Sequence, residues 1–109
     1  MTMVRSTLLP VVVLLSALTC AAQTSTSQIS GTVRDASGAV VPGAAVTLTN
    51  EATGVVQKQT ATDAGVYAFP AIPVGVYTVK VEASGFKSFV RTGNTIQINT
   101  PATVDVGLE

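Results

Sequence analysis

Histidine is absent from this 109-residue chain, and that absence bounds its chemistry more tightly than any residue present. A hydrolytic zinc centre is built from His and carboxylate ligands around an open position, and a Ser nucleophile needs a neighbouring base such as imidazole. Neither arrangement can be assembled here. No Gly-rich phosphate loop runs into a helical pattern either. Asp35 and Asp63 each fall in a turn sequence, and calcium prefers several oxygen ligands gathered in one loop. Two lone carboxylates are therefore expected to stabilise turns. An internal Lys-to-Asn amide crosslink would want a Lys on the first strand, where Arg34 stands, and Asn99 has no evident partner, so none is expected. The sequence thus points to no catalytic, cofactor-binding or metal-binding residue, and to a protein that is not an enzyme.

Ligand contact is the remaining kind of chemistry. Sugar recognition wants exposed aromatic faces; the chain has no Trp, and Tyr67, Phe69 and Tyr77 occupy positions expected to face a core. Only Phe86 and Phe89 are left as candidate ligand contacts. Their alternative role is to cover the end of the fold.

These residues must be positioned by short strands. Ile29, Gly31 and Val33 alternate with Ser30, Thr32 and Arg34, the period-two pattern of a half-buried strand. Asp35-Ala36-Ser37-Gly38 supplies turn chemistry, and Pro42 places Val40 to Gly43 at an edge or bend. A second strand covers Ala45 to Asn50, with Val46 and Leu48 inward. A third, Val55 to Thr62, is polar enough to predict an edge position. Asp63-Ala64-Gly65 reverses the chain into Val66 to Pro70, which carries Tyr67 and Phe69 on one face. Pro70 to Gly75 reads as a tight crossing, and Val76 to Ser84 as a central strand with Tyr77, Val79, Val81 and Ala83 inward. Strands follow near Phe89 and Val90, at Thr95 to Asn99 and at Thr103 to Leu108, with a turn at Gly93-Asn94. This spacing predicts an all-β fold, a seven- to eight-stranded antiparallel β-sandwich.

Ahead of the strands lies a segment with the layout of a cleaved signal peptide, residues 1–22. Arg5 gives a positive start, Leu8 to Leu18 is an apolar run too short for a membrane span, and Cys20-Ala21-Ala22 places small residues for cleavage before Gln23. Ala17 and Thr19 fit poorly the pattern that leads to acylation at Cys20. Residues 23–27 read as a flexible leader and residues 28–109 as one domain. The mature chain is expected to lack a transmembrane segment. Six basic residues balance six acidic ones, and they are scattered singly, which argues against a nucleic-acid partner.

The ordered segments Gly31-Thr32-Val33-Arg34-Asp35, Pro42-Gly43-Ala44-Ala45-Val46, Thr62-Asp63-Ala64-Gly65-Val66-Tyr67, Pro73-Val74-Gly75-Val76-Tyr77 and Ser84-Gly85-Phe86 resemble the carboxypeptidase regulatory-like domain. The resemblance implies a prealbumin or transthyretin-like sandwich that is a non-catalytic accessory module. Such domains also occur behind the signal peptide of bacterial outer-membrane receptors similar to TonB-dependent transporters. The implied setting is export to the periplasm or outer membrane. The implied partner is an envelope protein or neighbouring receptor domain, with carbohydrate as the alternative.

Overall fold

The computed structural model describes residues 26–109; the expected signal peptide, its cleavage site and Cys20 lie outside the described residues. Alternation of apolar inward residues with mostly polar outward ones produces eight strands: β1 (Thr26–Asp35), β2 (Ala45–Asn50), β3 (Val56–Thr60), β4 (Val66–Pro73), β5 (Gly75–Glu82), β6 (Phe89–Ile96), β7 (Ala102–Thr103) and β8 (Val106–Leu108). They form two sheets. One has the order β4-β1-β7 with β8 also pairing β1, and the other has the order β3-β2-β5-β6. The polar third strand lies at a sheet edge, as its composition predicts.

The inward faces meet in one core. Ile29, Val33, Val46, Leu48, Val79 and Val81 are fully enclosed, joined by Tyr67, Phe69, Ile72, Tyr77 and Leu108. Tyr67 and Phe69 pack edge to face with centroids 6.2 Å apart, the arrangement that ring quadrupoles favour. Both tyrosines keep a hydrogen bond while buried: the Tyr67 hydroxyl donates to the Val104 carbonyl at 2.6 Å and the Tyr77 hydroxyl to the Pro73 carbonyl at 2.7 Å.

Five expectations are corrected or refined. Pro70 to Gly75 is not a crossing, because β4 continues through Pro70 to Pro73 and the chain reverses only at Val74 and Gly75. The ladder absorbs the proline by a bulge, since Ser27 pairs Ile72 while Ile29 pairs Phe69, leaving Pro70 and Ala71 opposite Gln28. A residue without an N–H is tolerated where ladder bonding is already interrupted. Gly93-Asn94 is not a turn either. Tyr77 pairs Asn94 and Val79 pairs Arg91, so Thr92 and Gly93 bulge opposite Thr78 within a continuous β6. Gly93 takes a φ of 71° there, and the buried Asn94 amide donates to the Tyr77 and Arg91 carbonyls.

The eight-stranded all-β sandwich is as expected and most of its pairings are antiparallel, with two exceptions. β7 and β8 both run parallel to β1, because the loop after β6 carries the chain across to the other sheet before the last segment is laid down. The expected final strand is split in two where the Asp105 carboxylate accepts the Thr32 amide at 3.1 Å. Finally, β1 begins at Thr26, which pairs Pro73, and Ser27 pairs Ile72, so the last two residues of the expected leader are part of the ladder.

Candidate functional site

The acidic residues are occupied with structure. Asp35 Oδ1 accepts from the Ser37 amide at 2.9 Å, the Ser37 hydroxyl at 2.6 Å and the Ala39 amide at 3.1 Å. Those donors, led by the Ser37 hydroxyl, hold its carboxyl below the usual value, because each bond favours the charged form. Asp63 is exposed in the turn where Gly65 donates to the Thr62 carbonyl and Val66 to the Thr62 hydroxyl. Among the described residues no three His, Cys, Asp or Glu side chains converge on a common point. Arg34 pairs β8 near the Asp35 end of β1, whereas Asn99 belongs to the loop beside Thr26 and Ser27 at the other end. They are not brought together.

Phe86 and Phe89 are half-buried and pack against the core. They border separate shallow concavities, one with Ala83 and Ser84 and the other with Val90 and Gly107. The two rings therefore do not form one platform, and each closes part of the Asp35 end of the sandwich.

The opposite end holds a feature the strand pattern did not expose. A cleft of about 390 Å³ lies between the loop Asn50 to Val55 and the turn Pro73 to Gly75, floored by Tyr77 and bordered by Gln57. The loop is shaped by Asn50, whose Oδ1 accepts from the Ala52 amide at 2.9 Å and the Thr53 amide at 3.1 Å. This use of the oxygen fixes the amide orientation and leaves Nδ2 as a donor. Val55 and Val74 remain 59 % and 40 % exposed at the cleft. On the loop after β6, Ile98 is 53 % exposed. That loop joins this end because Ile96 pairs Gly75.

Charge avoids this end. Across residues 50–56, 70–78 and 92–102 the single ionisable acid or base, tyrosine aside, is Glu51. Its carboxylate is tied to the sheet, accepting from the Gly93 amide at 2.7 Å and the Thr78 hydroxyl at 3.2 Å. Arg34, Asp35, Asp63, Glu82, Lys87 and Glu109 all sit toward the other end. Charge is therefore concentrated toward the Asp35 end, and the cleft end is poor in it. Among the described residues no helix is long and apolar enough to cross a membrane.

The free sheet edges are each interrupted. β3 carries Lys58 and β6 carries Arg91 with the Gly93 bulge. β4 carries Pro70 and Pro73, and β7 is separated from β8 by Asp105. Charges, prolines and bulges of this kind discourage strand addition.

The family profile of the carboxypeptidase regulatory-like domain matches residues 28–109. Among solved structures, the chain is similar to the Bacillus anthracis TIE protein, at 20 % identity and a TM-score of 0.66, covering 77 % of this chain and 16 % of that one. A proposed carbohydrate-binding protein from Bacteroides uniformis matches at 20 % identity and a TM-score of 0.62, covering 75 % of this chain and 40 % of the other. Chlorocatechol 1,2-dioxygenase from Pseudomonas putida matches at 16 % identity and a TM-score of 0.63, covering 77 % of this chain and 60 % of the enzyme. The chain thus spans less than two thirds of the length of each of these proteins, and the likeness is one of fold. No curated protein sequence matches it.

Proposed function

Because the chain belongs to the carboxypeptidase regulatory-like domain family, as the match over residues 28–109 shows, we propose that it serves as a non-catalytic interaction module. We place it in an exported protein of the bacterial envelope, as a free periplasmic unit or as the front of an outer-membrane receptor. The observation that supports interaction most strongly is the exposed aliphatic pair Val55 and Val74 at the Asn50 cleft, at an end of the sandwich where Glu51 is the one charge in the flanking segments. Exposed apolar surface gathered at one site marks a contact surface more often than aliphatic residues scattered singly. The blunted edges favour contact through this end over strand addition.

A dioxygenase-like activity has no support in the residues. Likeness at 16 % identity conveys a scaffold, and chemistry must come from a site built on it. Carbohydrate binding stays as the second reading, favoured by the fold shared with the Bacteroides uniformis protein. Its weakness is the absence of a paired aromatic platform, since Phe86 and Phe89 line separate hollows.

Export is tested by the intact mass of the native polypeptide in the envelope fraction. A species corresponding to Gln23 to Glu109 supports a free module, and a far heavier species carrying this sequence supports a receptor front end. An uncleaved chain confined to the cytoplasm would refute the proposed setting.

A further inference from the structure

The Asn50 cleft has the size and lining of a small recognition site. Its volume of about 390 Å³ falls within the range of ligand pockets, which are mostly apolar with a few fixed polar groups. The walls come from Val55, Pro73 and Val74, and the floor from the ring of Tyr77, which is 2 % exposed. The fixed polar group is Asn50 Nδ2. Among the described residues this nitrogen has no partner, while Oδ1 of the same amide is held by two backbone donors. It faces Gly75, where a Cβ would lie 3.6 Å from Nδ2.

Three features narrow the occupant. Glu51, the one charged side chain nearby, is tied to the Gly93 amide and the Thr78 hydroxyl, so a charged ligand would find no free counter-ion and its desolvation there would be costly. Thr53 and Gln57 are the other polar side chains at the cleft, and the Thr53 hydroxyl oxygen already accepts from the Val55 amide, so few groups remain for the hydroxyls of a sugar ring. The oriented Asn50 donor beside aliphatic walls matches one carbonyl flanked by small apolar groups. We propose that this cleft receives an uncharged aliphatic segment of a partner polypeptide, with one backbone carbonyl of that segment accepting from Asn50 Nδ2. This assignment rests on the interaction-module reading and adds the site and the chemistry of the partner.

β8 runs parallel to β1, so Leu108 lies at the Asp35 end, away from the cleft.

The test uses the isotope-labelled full chain, with amide chemical shifts followed during titration by acetyl-Val-Ala-Val-amide, acetyl-Asp-Ala-Asp-amide and cellobiose. The neutral peptide is expected to shift Asn50 to Val55, Val74, Gly75 and the Asn50 side-chain amide, while the acidic peptide and cellobiose leave them in place. Asn50→Asp keeps an oxygen for the Ala52 and Thr53 amides and removes the donor; with the added charge it should weaken the neutral peptide by about tenfold. Val74→Ser, at an exposed turn position, should weaken it severalfold with the spectrum otherwise unchanged. Equal binding by Asn50→Asp, or no shifts at the cleft with the neutral peptide, overturns the proposal. Cellobiose shifting the cleft in its place overturns both the proposal and the interaction-module reading. If the neutral peptide shifts only a different surface, the cleft assignment falls and the module reading survives.

Discussion

Tyr67 and Val104 are joined by a buried hydrogen bond of 2.6 Å from the phenol to the carbonyl, and that bond ties the two-sheet core to the segment linking β7 and β8. The Val104 amide donates in turn to the Ser30 carbonyl at 2.8 Å. Gly31 makes this crossing feasible, because a Cβ on it would collide with the Val104 carbonyl oxygen and would come within 2.9 Å of the Tyr67 ring. One glycine, one phenol and one carbonyl together seat the C-terminal strands against β1.

Replacing Tyr67 by Phe should therefore lower stability by about 1–3 kcal/mol, since it leaves a buried carbonyl without its donor. Urea unfolding followed by far-ultraviolet circular dichroism measures this directly. An unchanged midpoint would mean that the bond contributes nothing net.

The same tyrosine gives a pH signature. Burial, with the Asp105 charge adding to it, pushes its pKa up from 10.0 to about 12. An acid whose folded pKa is raised gives up its proton more readily when unfolded, so the unfolded state gains between the two values. Its contribution is intact below pH 10 and is lost as pH climbs toward 12. Wild type should lose stability over that interval more steeply than Tyr67→Phe, and parallel profiles would contradict the assignment.

Gly31→Ala should cost about 1–3 kcal/mol by overpacking, and more if Val104 cannot withdraw from β1. The damage should appear first as loss of amide protection in β7 and β8, read by hydrogen exchange. Uniform loss across both sheets would show that the C-terminal strands are not held separately by this contact.

Asp35 should behave as a turn former. Its carboxyl is held low mainly by the Ser37 hydroxyl, so its contribution is present above the ordinary value near 3.8 and disappears as pH falls through the lower folded value. Asp35→Asn should flatten that acid limb. Chelators and added calcium should leave the melting temperature unchanged, and a calcium-dependent rise would revive a metal role for Asp35 and Asp63.

Much of the fold was legible because burial on one face imposes period two. Ile29 and Val33, Val46 and Leu48, and Tyr77, Val79 and Val81 all face the core as the alternation indicates. What local pattern hides is where a ladder slips. Pro70 and Gly93 read as chain reversals, yet each sits in a bulge inside a continuous strand, a distinction decided by the partner strand. The parallel pairing of β7 and β8 was hidden for the same reason. The cleft was hidden more deeply, since Asn50, Val55 and Val74 lie on two separate connections that meet only through the pairing of β2 with β5. Phe86 and Phe89 drew attention by ring type alone, and the fold sets them at the other end.

The proposed function requires the end that holds the Asn50 cleft to be the contact surface. The most direct measurement is photo-crosslinking in the producing cells, with a photoreactive side chain placed at Val74 in one variant and at Lys87, toward the opposite end, in another. A discrete protein adduct is expected from position 74, diminished by Asn50→Asp, with none from position 87. Adducts from position 87 alone, or no protein adduct from either, would contradict it.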